Sequence, residues 1–400
     1  MLLQGFGWNS EAAGGTGNWY EHLGGRAQEI AADGFTTIWF PPPCKDRTGP
    51  GGNGYFSADF YDLGNLDQDG GIETRYGSLD ELQTAVRQFH SAGVQVLGDV
   101  VINHRAATHQ DDQGRWTRYE PASGKMVWGA WANPHFSDCE DSGDAFGTDD
   151  ICHRNPQVME DLTAWIQWLQ RTVSYDGWRV DFAKGFSPDV FRPLHEATGQ
   201  PFTVVEYWTS MAYEGGSLAY DQSSHRQKIV DWIDGTAGGV WAFDFTTKGI
   251  LQEAVRGSYW RLKAGDGRPA GLIGWWPGRS VTFVDNHDTG SLQAHWPFPA
   301  GREEEGYAYI LTHPGIPCVF WEHYSGSLAE PIRNLIRARL AGGVHAESPI
   351  TIDRAEDGLY VAHVGSRLVM KMGQKDWAPE APDAELVASG SNYAVWIQAP

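Results

Sequence analysis

Four short stretches of this chain end an apolar run with groups that can hold charge or move a proton. They are DVVINH (Asp99 to His104), GWRVDFAKG (Gly177 to Gly185), VVEYW (Val204 to Trp208) and FVDNHD (Phe283 to Asp288). Cleaving a glycosidic bond takes one carboxylic acid to protonate the leaving oxygen and a second carboxylate acting on the anomeric carbon or on water. Asp181, Glu206 and Asp288 supply that pair with one acid to spare. Arg179 stands two residues before Asp181, on the same side of an extended strand, where its guanidinium would keep the carboxylate ionised and oriented. The alternative for Arg179 is a structural salt bridge. His104 and His287 adjoin the same acids and offer hydrogen bonds to hydroxyl groups. Any one of the acids alone reads as a helix cap or a solvated loop residue. Several at equivalent places ask for a common scaffold.

Short apolar runs alternate with amphipathic segments up to about residue 340. The strand candidates are Leu2 to Phe6, Thr36 to Phe40, Val94 to Val101, Gly177 to Phe182, Phe202 to Glu206, Val240 to Phe243, Ser280 to Val284 and Cys318 to Phe320. Between Leu79 and Ala92 the apolar residues Leu79, Leu82, Val86 and Phe89 fall three or four apart, the helical spacing. Asn155-Pro156 opens a second helix through Leu162, Trp165, Ile166 and Leu169. Eight such units predict an α/β fold, a (β/α)8 TIM barrel whose site lies on the loops after the C-terminal strand ends. That is where the acids fall. The stretch 105–155 is far longer than a usual βα loop, and it predicts an inserted subdomain between the barrel segments 1–104 and 156–342. From 343 to 400 the pattern turns to alternating runs (Leu359 to His363, Arg367 to Met372, Tyr393 to Ile397), which predict a small antiparallel β domain.

Composition narrows the partners. Lys plus Arg is 30 against 51 Asp plus Glu, a net charge of −21, which repels phosphate backbones and anionic membranes. No apolar stretch reaches the length of a membrane span. Nucleic acid and membrane are therefore excluded as partners, and the chain is expected to act as a monomer. The start, MLLQGFGW, lacks the basic and apolar regions of a secretory signal. Compartment stays open between a secreted protein with its signal removed, which is slightly favoured, and an intracellular one. Of four cysteines, Cys139 and Cys152 alone lie close in sequence, and a bridge there would close a short loop. The histidines form no HxH or HExxH cluster, which argues against a catalytic zinc. The 19 tryptophans and 49 glycines imply an ordered, loop-rich protein with many flat apolar faces.

The four acidic segments resemble, in order and strand position, the four conserved regions of the α-amylase family, glycoside hydrolase family 13. The resemblance runs over nearly the whole chain. It is nearest to plant-type α-amylases and bacterial maltooligosaccharide-forming amylases, through GYAYILTHPGIPCVF (Gly306 to Phe320), FDFTTKGIL (Phe243 to Leu251) and GWWPGRSVTFVDNHDTGS (Gly274 to Ser291). It implies retaining endo-hydrolysis of α-1,4-glucan, with Asp181 as nucleophile, Glu206 as general acid/base and Asp288 as transition-state stabiliser. Retention carries an expected nucleophile-to-acid separation of about 5 to 5.5 Å. Arg179, His104 and His287 would hold the sugar, Tyr55 would stack on it, and Lys184 and Trp208 would line the leaving-group side. Tyr55 and Trp208 also fit plain rim packing. An exo-acting maltooligosaccharide former or a transglycosylase would use the same triad. A non-catalytic relative is disfavoured, because the three acids and Arg179 are all present.

Six acids crowd residues 138–150: Asp138, Glu140, Asp141, Asp144, Asp149 and Asp150. They read either as a solvated acidic loop or as oxygen ligands for calcium. The resemblance implies the second, a structural Ca2+ on Asn103, Asp144, Asp150 and the backbone oxygen of Gly185, tying the insertion to the barrel. The adjacent Trp275 and Trp276 precede Pro277. They fit core packing or, as in the plant enzymes, a surface starch-binding platform.

Overall fold

The computed structural model describes residues 1–10, 18–137, 139, 150–290 and 292–399. Eight parallel strands close into a barrel: β1 (Leu2–Gln4), β2 (Thr37–Trp39), β3 (Gln95–Val100), β4 (Gly177–Val180), β5 (Phe202–Val205), β6 (Trp241–Phe243), β7 (Ser280–Phe283) and β8 (Ile316–Phe320). Closure is direct, since Leu2 pairs with Cys318 of β8 and with Thr37 of β2. Most strands stop a residue or two before the apolar run does. There the chain leaves the ladder to place Asp181, Glu206 and the 284–288 segment on the rim.

Local signals hold the outer helices. Ser78 and Glu81 form a reciprocal capping box at the start of helix Leu79–Ser91, which buries Leu82, Ala85, Val86 and Phe89. Asn155 caps helix Pro156–Val173, whose buried face runs through Val158, Leu162, Trp165, Ile166 and Leu169. Fully burying each such side chain stabilises the fold by about 1.5 to 3 kcal/mol.

The insertion after β3 carries a two-stranded ladder, His109–Gln110 against Trp116–Arg118, and is pinned through Arg105. This buried guanidinium donates to the carbonyls of Ala58 and Met126 and lies 4.7 to 5.2 Å from the rings of Phe60, Tyr119 and Trp128. Cys139 and Cys152 are joined in a disulfide. The loop after β2 is fastened differently. The buried Lys45 ammonium donates to the carbonyls of Gly71, Ile72 and Glu73 at 2.6, 2.9 and 3.0 Å.

The C-terminal sheet has five antiparallel strands, β9 (Ile350–Glu356), β10 (Leu359–Val364), β11 (Leu368–Met372), β12 (Glu385–Gly390) and β13 (Tyr393–Ile397), in the order β9-β10-β11-β13-β12. Its inner face shares one core with the barrel helices. Tyr360 and Met370 join Ile332 and Ile336 there, and the Tyr360 hydroxyl meets His313 Nε2 at 2.8 Å.

Candidate active site

The C-terminal end of the barrel opens into a cleft of about 410 Å3. Asp181, Glu206 and Asp288 line it, with Tyr55, Lys184, Trp208 and His287. Each acid follows a strand: Asp181 directly after β4, Glu206 directly after β5, and Asp288 on the turn beyond β7. Backbone bonds lock these strand ends together, Asp181 N to Val100 O and Glu206 N to Val180 O, both at 3.0 Å.

Arg179 lies beneath the cleft floor, fully buried. Its Nη1 donates to Asp181 Oδ1 at 2.8 Å and is shared with Asp99 at 3.1 and 3.2 Å, while Nη2 lies 2.8 Å from Glu206 Oε2. One guanidinium therefore holds the Asp181 and Glu206 carboxylates side by side. The residue between them is strained to suit: Phe182 adopts φ +45°, in the left-handed region, and its N–H donates to Glu206 Oε2 at 3.0 Å.

Four carboxyls, those of Asp99, Asp181, Glu206 and Asp288, surround this single buried cation. Burial raises all four above the usual carboxylate range, Asp99 to about 7, and Arg179 opposes the rise. Asp181 accepts a hydrogen bond from the guanidinium at 2.8 Å, which favours its charged form against the burial. Glu206 is raised further by its charged neighbour Asp181, while Arg179 and Lys184 oppose the rise.

Burial disfavours the charged form of both His104 and His287. Burial lowers His104 to about 4, and burial together with Arg179 lowers His287. His287 lines the cleft, takes a bond from Gln4 at 2.8 Å on Nδ1 and presents Nε2 3.3 Å from Asp288. His104 is buried behind the cleft, with Nε2 2.8 Å from the Tyr55 carbonyl. Tyr55 stacks on His287 at 5.3 Å and donates its hydroxyl to Asp99 at 2.8 Å. Trp208 is backed by Phe245 at 5.3 Å and 8° between planes, a rigid flat wall on the Lys184 side.

The remaining sequence candidates lie elsewhere. Trp275 and Trp276 precede β7 and are not among the residues that line the cleft. Both are half-buried, and the Arg226 guanidinium covers one face of Trp275 at 3.9 Å. Asn103, Asp150 and Gly185 come together at the foot of the insertion. Asn103 Nδ2 donates to Asp150 at 2.9 Å, and a Cβ on Gly185 would lie 2.0 Å from Asn103 Oδ1. Asp144 lies outside the described residues, as do Asp138, Glu140, Asp141 and Asp149. Among the described residues no cluster of three His, Cys, Asp or Glu side chains is poised for a metal.

Two residues of the site carried weak sequence signals. Asp99 lies on β3 inside DVVINH, one turn of the pleat too early to reach the rim, and serves from below. Trp8 lines the cleft from the loop after β1, with its ring 5.0 Å from His287.

Residues 27–217 match the model for the α-amylase catalytic domain, and residues 341–397 match that for the α-amylase C-terminal β-sheet domain. The probable α-amylase 2 of Arabidopsis thaliana is 41% identical over 99% of this chain and 93% of its own. The chain belongs to the α-amylase family. As a member it is a glycoside hydrolase enzyme. Chloroplastic α-amylase 3 of Arabidopsis thaliana is 40% identical over 99% of this chain, which spans 44% of that relative's length. The glucan 1,4-alpha-maltotetraohydrolase of Stutzerimonas stutzeri is 35% identical over 92% of this chain and 66% of its own. No helix among the described residues is long and apolar enough to cross a membrane.

Proposed function

We propose that this enzyme hydrolyses internal α-1,4-glucosidic bonds of starch, glycogen and maltooligosaccharides with retention of configuration, acting as a monomer. The observation that carries the reading is Arg179 gripping Asp181 and Glu206 at 2.8 Å each beneath one cleft. Glu206 gives its proton to the glycosidic oxygen as the Asp181 carboxylate forms a bond to the anomeric carbon and the old C–O bond breaks. Glu206, now ionised, then takes a proton from water, whose oxygen attacks the same carbon and releases Asp181. Asp288, with His287 beside it, faces the distorted sugar ring and its developing positive charge. Tyr55, Arg179 and His104 shape the cleavage subsite, and Trp208 and Lys184 receive the leaving sugar.

The oxygen-rich foot of the insertion fits a structural Ca2+. Asn103 Oδ1 is buried without a hydrogen-bond partner beside Gly185, and Asp150 supplies a carboxylate. Asn103, Asp150 and the Gly185 backbone, joined by Asp144, would hold the ion, which binds hard oxygen donors and would tie 105–155 to the barrel. Trp275 and Trp276 are assigned to a separate starch-binding surface.

Asp181→Asn is expected to abolish turnover of soluble starch while leaving the melting temperature within a few degrees. Retained turnover overturns the assignment. Early products of the unmodified enzyme should form a broad ladder. One dominant oligosaccharide would indicate exo action, and longer products would indicate transfer.

A further inference from the structure

Asp288 sits on a segment that leaves β7 at Phe283 and returns toward the barrel near Phe298. Its neighbours His287, Gln293 and His295 also line the cleft. What fixes this segment is a buried ion pair at its root. Lys248, on helix Phe245–Ala254 after β6, is fully buried and donates from Nζ to Val284 O at 2.5 Å and to Asp285 Oδ1 at 2.7 Å.

Asp285 distributes that anchor. Its carboxylate also accepts the Thr289 hydroxyl at 2.8 Å and the Phe298 N–H at 3.2 and 3.3 Å. Asn286 closes the turn inside this frame, accepting the Asp288 and Thr289 N–H groups at 3.0 and 2.9 Å. The His295 N–H donates to the Asp288 carbonyl at 3.0 Å. Asp288 thus adjoins Thr289, which like Phe298 is held by the Asp285 carboxylate, with Asn286 and His295 closing the turn around it. A fully buried lysine is costly to keep, and a well-packed apolar pair commonly serves stability as well.

We propose that Lys248 and Asp285 are a positioning pair for the reaction: the ammonium fixes Asp285, and Asp285 fixes the turn that presents Asp288 to the sugar. The inference rests on the role given to Asp288 under the proposed function. Lys248 touches no substrate and acts through Asp285 alone.

The test compares Lys248→Met, Asp285→Asn and the double variant with the unmodified enzyme, on a chromogenic maltooligosaccharide well below each melting temperature. Loosening the turn by about 1 Å should lower kcat by about 10- to 100-fold and leave KM within about twofold. Binding of a charged iminosugar that mimics the distorted ring should weaken in step with kcat/KM, while maltotriose binding holds. The double variant should lose no more than the worse single variant, because the two residues form one path. Loss of melting temperature with kcat and iminosugar affinity unchanged overturns the proposal, as do additive losses in the double variant. Should Lys248→Met fail to fold, Lys248→Gln keeps a donor and is read in the same way. Asp288→Asn separates the two claims. If it leaves activity intact, the role of Asp288 itself fails; if it abolishes turnover while the Lys248 variants do not alter kcat, the positioning pair alone fails.

Discussion

Asp99→Asn changes one oxygen for an amide nitrogen in the most constrained place below the cleft. The Asp99 carboxylate is nearly fully buried, at 1% exposure, and every partner it has is a donor. Oδ2 accepts Trp39 Nε1 at 2.9 Å and the Tyr55 hydroxyl at 2.8 Å, and both oxygens meet Arg179 Nη1 at 3.1 and 3.2 Å. An amide turned one way faces its NH2 to Trp39 and Tyr55; turned the other way, it faces Arg179. Each buried donor left unpaired costs about 1 to 3 kcal/mol, and a charge contact with Arg179 is lost besides, so the sum is about 2 to 5 kcal/mol. At about 2.1 cal/mol/K per residue the 400-residue chain loses about 1 °C of Tm per 0.8 kcal/mol, which gives a drop of about 2 to 6 °C. Arg179 Nη1 is the atom that also grips Asp181, so its displacement should cost about 100-fold in kcat. Differential scanning calorimetry and initial rates on a maltooligosaccharide read both effects. Adding Tyr55→Phe removes one of the facing donors, so the double variant should be less destabilised than the two single losses added together. A Tm within about 1 °C and a rate within about twofold of the unmodified enzyme would refute the donor accounting and the place of Asp99 in it.

Three further outcomes follow from the same geometry. Lys184 draws the Glu206 proton affinity down, so Lys184→Met should raise it and move the alkaline limb of kcat/KM to higher pH by less than about one unit; a shift to lower pH contradicts the assignment of Glu206 as the acid. Removing calcium with a chelator should lower Tm by about 3 to 5 °C, the equivalent of about 2.7 to 4.1 kcal/mol at 100 to 1,000 times Kd, and an unchanged Tm removes the structural ion. Trp275→Ala with Trp276→Ala should lower adsorption to starch granules several-fold, measured by sedimentation; normal adsorption withdraws the second glucan surface.

Much of the fold was legible because barrel strands are buried on both faces and read as continuous apolar runs. The eight expected strands all lie where the runs are, and the acids of the cleft stand at their ends. The sheet edges were not legible. β9 and β12 carry mostly exposed residues, each has a register shift, and ITIDRAE and ELVASG offer no clean alternation. Asp99 was visible as a residue but not as a partner, since nothing in spacing says that β3 and β4 pair Asp99 with Arg179. Trp8 shows the same limit from the other side. It reaches the cleft because β1 closes the barrel between β8 and β2, a relation between residues more than 300 apart in the chain.

The ammonium of Lys45, held by three carbonyls, makes the loop after β2 and the foot of the insertion chemically unequal. The loop after β2, which brings Asn53, Tyr55 and Phe56 to the cleft, is fastened by a cation the chain owns covalently. Such a cation cannot dissociate, be exchanged for another ion or be drawn off by a competitor in the medium. The foot of the insertion would depend, in the reading given above, on an ion borrowed from solution. Scarcity of divalent ions would therefore act on the attachment of the insertion and leave the Lys45 clasp in place.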